Sequence, residues 1–208
     1  MDLTLILSFL GFAVLLTLMP GPDILFVIAQ SLSQNKKAGI ATAFGLCSGL
    51  IVHITAATLG VSALIYQSAL AFAVVKYAGA AYLLYLAWQA WREKQEGFHL
   101  DNQQSLEYKA LYKKGILMNL LNPKVSLFFL ALLPQFVNKS IGHAALQMFI
   151  LGLIFLIQAL VIFVAVSAAA EKLRHVLLAH SSIAKRINRV KAVLLGAIGI
   201  QIAFSKHN

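Results

Sequence analysis

Two short proline motifs, each followed directly by a charged residue, interrupt long apolar stretches of this sequence. They are Pro20-Gly21-Pro22 with Asp23, and Asn122-Pro123 with Lys124. Proline has no backbone N–H and disfavours helix in the residue before it, so each motif must break or kink a helix. Backbone groups freed at membrane depth must face protein or a water-filled cavity. We therefore expect both motifs to line a polar site.

The two charges beside these breaks have opposite sign. Asp23 is the only acid within any span predicted below, and a lone carboxylate at that depth costs roughly 3 kcal/mol on insertion scales. It needs a partner or a proton, and Lys124 is the candidate partner because both residues lie on the cytoplasmic side of their spans' centres. One reading is a site for substrate and proton coupling. The other is a buried ion pair that only fixes helix packing.

Two further residues belong to the candidate site. Asn119 lies four positions before Pro123, so its carbonyl loses its helical donor. His53 is the only histidine in a predicted span; it could relay protons, but a neutral, hydrogen-bonded histidine between helices explains it equally well. One cysteine, Cys47, and this small set of polar groups form no recognisable nucleophile–base set or metal cluster. We predict no catalytic residues, no cofactor and no metal.

The elements that must position these residues are transmembrane helices. Hydrophobic residues make up 60% of the 208-residue chain, charged residues 12%, and the mean hydropathy is +0.82, which does not describe a soluble core. The apolar runs are long and do not alternate, so we predict an all-α integral membrane protein. The net charge of +10 is explained as a topological signal rather than as nucleic-acid binding.

We predict about six spans in one membrane domain covering residues 1–208. They are placed near Leu3–Gln30, Gly39–Tyr66, Ala69–Trp91, Gly115–Val137, Ala144–Ala170 and Val190–Phe204. The first is read as a span rather than as a cleaved leader, because the start has no basic segment and no clear cleavage site. The sixth is short, so whether it crosses the bilayer is left open.

The positive-inside rule gives an orientation. The first, third and fifth loops, the last extended to Lys191, hold thirteen Lys and Arg residues, against two on the alternate side. These three loops are therefore predicted to be cytoplasmic, with both termini outside if all six segments span. The polar loop at about 92–114 is read as an ordinary connector.

The two breaks indicate an internal repeat. Pro123 follows Pro22 by 101 positions, which suggests two three-helix units at about 1–91 and 115–208. Because three is odd, the second unit would be inverted, as in many secondary transporters with a mid-membrane site. In the second span, Gly39, Gly45 and Gly49 predict a face on which helices pack closely, with a glycine-lined substrate path as the less favoured reading.

These motifs together resemble the LysE/RhtB family of amino-acid exporters. The resemblance covers essentially the whole chain and rests on the two proline motifs, the glycine-spaced second span and the segment 76–83, Lys-Tyr-Ala-Gly-Ala-Ala-Tyr-Leu. It implies a protein of the bacterial inner membrane that exports amino acids by proton antiport. It also marks Pro20, Gly21, Pro22 and the Asn122–Lys124 motif as the family's core positions.

The function predicted on this basis is export of amino acids or close derivatives. With Asp23 and Lys124 cancelling, neutral solutes such as threonine or homoserine are favoured over basic ones. The sequence holds no Gly-x-x-x-x-Gly-Lys-[Ser/Thr] loop for ATP. The expected partners are a small amino acid, protons and lipids, with homo-oligomerisation left open. An intramembrane enzyme and an accessory subunit without transport activity remain as alternatives.

Overall fold

The computed structural model describes residues 3–61 and 106–172, together with six single helical positions between 74 and 88. We number the α-helices of these ranges α1 to α6. They are Leu3–Leu18, Pro22–Ser33, Lys36–Ala56, Tyr108–Leu120, Pro123–Leu127 and Ala144–Lys172. A π-helical turn, Ala57–Val61, continues α3, and the turns Phe128–Leu132 and Leu133–Phe136 continue α5. A short 3₁₀ turn, Lys139–Ile141, precedes α6.

The described helices are apolar and long enough for a membrane. Two single helices, Lys36–Gly60 and Ala144–Lys172, are long and apolar enough to cross it. Two bent pairs meet the same criterion when each is taken as one span: α1 with α2, bent by 54°, and α4 with the segment Pro123–Phe136, bent by 48°. Both bends lie at the proline motifs, so the predicted interruption of the first and fourth spans is confirmed.

Local capping explains where the helices restart. Pro22 is the first residue of α2 and Pro123 the first residue of α5, the position where a missing N–H costs least. Asn122 caps α5, because its Oδ1 accepts a hydrogen bond from the Lys124 backbone N–H at 3.0 Å. Asn35 caps α3 through the Ala38 N–H at 3.0 Å. Gly21, which precedes α2, has no side chain to cap with.

Close helix contacts at glycines hold α3 against its neighbours. A Cβ atom at Gly45 would lie 2.1 Å from the Tyr112 carbonyl oxygen of α4. A Cβ at Gly115 would lie 2.7 Å from the Thr42 carbonyl oxygen. These distances are too short for any side chain, so α3 and α4 touch backbone to backbone. The close packing predicted for the small-residue face of the second span is confirmed.

The fourth span differs from its prediction in where it begins. Helix α4 begins at Tyr108, inside the segment at about 92–114 that we interpreted as a connector. Tyr108, Lys109 and Lys113 are exposed, whereas Leu111 is fully buried. The helix therefore continues beyond the apolar stretch as an amphipathic turn, which hydropathy alone assigns to a loop. The sixth predicted span and most of the third fall outside the described residues.

Three helix ends lie at one face of the bundle. The Lys36 N–H at the start of α3 donates to Glu171 Oε1 near the end of α6 at 3.1 Å. Ser167 Oγ donates to the Lys36 carbonyl at 2.8 Å, and Tyr108 OH donates to Asn35 Oδ1 at 3.4 Å. The described ends of the three basic loops thus share a face, as the charge count requires.

Candidate functional site

The two helix breaks meet around a small internal cavity. Its polar lining comes from Thr17, Asp23, Asn119 and Lys124, and apolar side chains of α3, α5 and α6 close it. The space open to the centre of a water molecule is about 10 Å³, which is room for roughly one water. Charged groups from both breaks therefore line one cavity that is too small for an amino acid.

Lys124 crosses from the second break to the first. Its side chain is only 7% exposed, and Nζ donates to the carbonyl oxygens of Leu16 at 3.1 Å and Met19 at 3.4 Å. In a continuous helix the N–H of residue 20 would donate to the Leu16 carbonyl, but Pro20 has no N–H. The lysine thus supplies the donor that the proline removes, at the C-terminal end of α1, where helix carbonyls carry partial negative charge.

Asp23 lies in the first turn of α2 and is 4% exposed. Asn119 Nδ2 donates to its Oδ2 at 3.5 Å, a long hydrogen bond. The Lys124 ammonium is near enough to interact electrostatically with the carboxylate, and the Asn122 side chain also approaches it. Within the described ranges, however, Asp23 Oδ1 has no hydrogen bond of good geometry. One carboxylate oxygen therefore retains capacity for a further donor.

His53 belongs to the second break. Its Nε2 lies 3.2 Å from the Asn119 carbonyl oxygen, which is the carbonyl that Pro123 leaves without its helical donor. A carbonyl only accepts, so Nε2 carries the hydrogen in this contact. The ring also stacks on Phe129, with centroids 5.9 Å apart. Because Asn119 reaches Asp23 through its amide, His53 is connected to the carboxylate through one residue.

The structure thus brings the predicted site residues together. Pro20, Gly21 and Pro22 form the turn of the first break, and Asn122 with Pro123 forms that of the second. A Cβ at Gly21 would lie 3.1 Å from Lys124 Nζ, so the absence of a side chain leaves room for the ammonium. The binding roles of these residues stay predictions.

Sequence reasoning missed one polar contact beside the cavity. Gln158 Nε2 donates to Thr17 Oγ1 at 2.9 Å and to the Phe155 carbonyl at 3.0 Å. Its Oε1 is buried and has no partner in the described ranges. The signal was present in the sequence, because Gln158 is the only polar residue in the otherwise apolar stretch 148–166.

Comparison of the sequence with known proteins identifies its family. The model of the LysE type translocator family matches residues 14–206. An uncharacterized membrane protein of Vibrio cholerae serotype O1 is 34% identical over 207 residues, covering 99% of this chain and 100% of the relative. The membrane protein YrhP of Bacillus subtilis is 30% identical, with 96% and 99% covered.

A third relative has a functional name. The homoserine/homoserine lactone efflux protein of Salmonella typhimurium is 30% identical over 200 residues, covering 96% of both chains. No solved structure matches the chain. The resemblance drawn from the proline motifs is confirmed by the family match over nearly the whole sequence. This chain belongs to the LysE type translocator family.

Proposed function

We propose that this translocator exports neutral amino acids or close derivatives, and that the solute binds between the two helix breaks. The observation that carries the proposal is the pair of opposite charges, Asp23 and Lys124, buried together at two interrupted helices. An amino acid has a charge of each sign, so it can be matched at both ends by such a site. The efflux protein named above, 30% identical, supports this class of solute.

The chain is a multi-pass protein of the bacterial inner membrane, as its family and its apolar helices show. Export then requires the closed cavity to open. About 10 Å³ does not accommodate an amino acid, so the helices around the breaks must separate when solute enters. We propose that the two halves of the chain form an inverted repeat and rock about this site, the arrangement common in secondary transporters.

Neutral solutes are favoured by the charge balance. Asp23 and Lys124 are the charged residues among the buried side chains that the structure describes, and they cancel. A net negative pocket, which would select lysine or arginine, is not formed by these residues. A solute whose own charges also cancel can enter without leaving an unpaired charge in the interior, which would cost several kcal/mol.

Asp23 is also the proposed proton site. It is a carboxylate at a helix break that keeps one oxygen available, and in the alternating cycle it can exchange a proton for the ammonium of the solute. If the proton and the solute ammonium bind to Asp23 alternately, export of the solute is coupled to proton antiport. This role for Asp23 competes with a purely structural one, in which the carboxylate only compensates the charge of Lys124.

Transport by reconstituted protein tests the proposal. In liposomes we expect counterflow of labelled homoserine or threonine. Asp23→Asn should keep much of this exchange but lose accumulation driven by a pH gradient. Glu107→Gln, at an exposed acid before α4, is the matched control and should behave like the wild type. If Asp23→Asn instead lowers the amount of assembled protein, and Lys124→Gln added to it restores that amount, the pair is structural.

The same assay tests the alternative solutes and the alternative functions. Counterflow of lysine or arginine alone would overturn the preference for neutral solutes. No counterflow across a broad panel of amino acids would favour an enzyme or an accessory subunit instead.

A further inference from the structure

The ammonium group of Lys124 occupies a small cation site built from backbone. Nζ contacts the Leu16 and Met19 carbonyl oxygens at 3.1 and 3.4 Å, beside the Asp23 carboxylate. We propose that these carbonyls and Asp23 form the subsite for the ammonium group of the solute, and that Lys124 is an internal occupant that the solute displaces. This inference rests on the proposed function and names the binding mode at the same site.

The chemistry of the subsite suits an ammonium group. The carbonyls belong to the C-terminal end of a 16-residue helix, where the unpaired acceptors and the helix dipole favour a cation. Pro20 removes the backbone donor that would otherwise occupy the Leu16 oxygen. An ammonium offers three N–H donors at one point, so it can bind both carbonyls and approach the carboxylate at once.

Exchange at this subsite would avoid an unpaired buried charge. When the solute ammonium takes the two carbonyls, Lys124 is released but remains tethered beside the cavity. The carboxylate of the same solute can then bind it. While Asp23 is ionised, each charge keeps a partner during this exchange, which matters because an unpaired buried charge costs several kcal/mol. Gly21 makes the exchange sterically feasible, since its missing Cβ would lie 3.1 Å from Nζ.

The exchange gives an asymmetric solute requirement. The ammonium is essential because it performs the displacement, whereas the carboxylate only binds afterwards. N-acetylhomoserine should therefore not inhibit counterflow at all. An amino-acid methyl ester should still compete, but about tenfold or more weakly than the parent amino acid, because Lys124 then lacks its carboxylate partner. Equal inhibition by both, or inhibition by the acetylated compound alone, would contradict this order of binding.

Amine rescue tests the subsite independently of transport. Lys124→Ala removes three methylenes and the ammonium, a gap that n-propylammonium matches. Lys124→Met keeps the length of the side chain, so ammonium ion is its probe. In each purified full-length variant the matching cation should raise Tm by about 2–4 °C. Tetramethylammonium, which has no N–H donor, should not. The wild type should respond less than either variant, because there Lys124 already fills the subsite and must first be displaced.

The outcomes separate the two proposals. No response from either variant, or an equal response from the wild type, overturns the subsite. Failure of both variants to accumulate even when produced with their amines present also overturns it, because a refilled subsite should restore folding. Amine rescue without amino-acid counterflow in the wild type keeps the cation subsite and rejects the proposed function. Amino-acid counterflow without amine rescue keeps the proposed function and rejects the cation subsite.

Discussion

The two helix breaks share one construction and differ in what replaces the hydrogen bond that each proline removes. They bend by similar angles, 54° and 48°, and each leaves a carbonyl without its helical donor. At the first break the Leu16 carbonyl is bound by Lys124, a charged side chain from the other break. At the second, the Asn119 carbonyl accepts from the Asn122 backbone N–H at 3.0 Å and from His53 of the neighbouring α3.

This difference assigns different mechanical roles to the breaks. The second is fixed to α3 both by His53 and by backbone contact at Gly45 and Gly115. The first is joined to the second by the long side chain of Lys124, which we propose another cation can replace. On our proposal, this contrast makes the first break the part of the site that responds to a solute and the second break its support.

The largest expected effect concerns the anchoring of α4 to α3. Gly45→Ala would place a Cβ 2.1 Å from the Tyr112 carbonyl oxygen, and a backbone atom cannot rotate away. We expect a loss of about 3 kcal/mol or more, measured as a collapse of folded protein in detergent.

Substitutions at two other glycines serve as controls for this result. Gly39→Ala meets the Ser31 and Ser167 hydroxyls, which can rotate, so its cost should be smaller. Gly11→Ala meets nothing within 4 Å and should fold normally. If Gly45→Ala folds as well as Gly11→Ala, the second break is not rigidly supported by α3.

The next effect compares the two prolines directly. Pro20→Ala restores an N–H that can bind the Leu16 carbonyl and expel Lys124, so counterflow per folded molecule should fall about tenfold or more. Pro123→Ala restores an N–H that competes for the Asn119 carbonyl with His53 and with the Asn122 backbone N–H. It should reduce transport by a smaller factor, yet by more than it reduces folded protein.

Initial rates normalised to assembled protein measure both variants. Undiminished export by Pro123→Ala would show that the second break is not needed for transport. A larger loss in Pro123→Ala than in Pro20→Ala would reverse the roles we assign to the two breaks.

Much of this arrangement could be predicted from the sequence, because it follows from strong local rules. Proline position determines where helices break, so both bends and the freed Asn119 carbonyl were predictable from Pro22 and Pro123. Opposite charges beside the breaks made the meeting of Asp23 and Lys124 a reasonable expectation.

The rest depends on helix rotation and depth, which periodicity does not determine. The sequence cannot show that the Lys124 ammonium reaches the Leu16 carbonyl, because that contact joins residues 108 positions apart. For the same reason it does not pair Gln158 with Thr17, 141 positions away. The start of α4 was misplaced because hydropathy reports membrane depth and not where a helix begins.

A moderate effect is expected at the contact that the sequence did not reveal. Thr17→Val keeps the shape of the side chain but removes the acceptor for Gln158 Nε2, so stability should fall by about 1 kcal/mol, or Tm by about 2–4 °C. Thr17→Ser keeps the hydroxyl and is the control. Because Gln158 contacts the first break and lies in α6, an unchanged Tm in Thr17→Val would show that α6 does not help to hold that break closed.

The smallest effect is expected at His53, where a supporting role and a proton relay make different predictions. As a support, His53 needs only an N–H aimed at the Asn119 carbonyl. His53→Gln retains such a donor and should transport within about threefold of the wild type, a change below 1 kcal/mol. His53→Phe retains a ring against Phe129 but leaves the carbonyl with the Asn122 N–H alone, so Tm should fall by about 2 °C or less.

If His53 relays protons, both variants should lose that function, because neither glutamine nor phenylalanine titrates near neutral pH. Both variants would then lose accumulation driven by a pH gradient while keeping solute counterflow. Gradient-driven uptake by His53→Gln in inside-out vesicles is therefore the deciding measurement, with Asp23→Asn in parallel as the variant expected to lose it. Normal uptake leaves Asp23 as the coupling group and confirms that the second break is a support. Abolished uptake with normal folding would move the proton pathway to α3 and make the second break as active as the first.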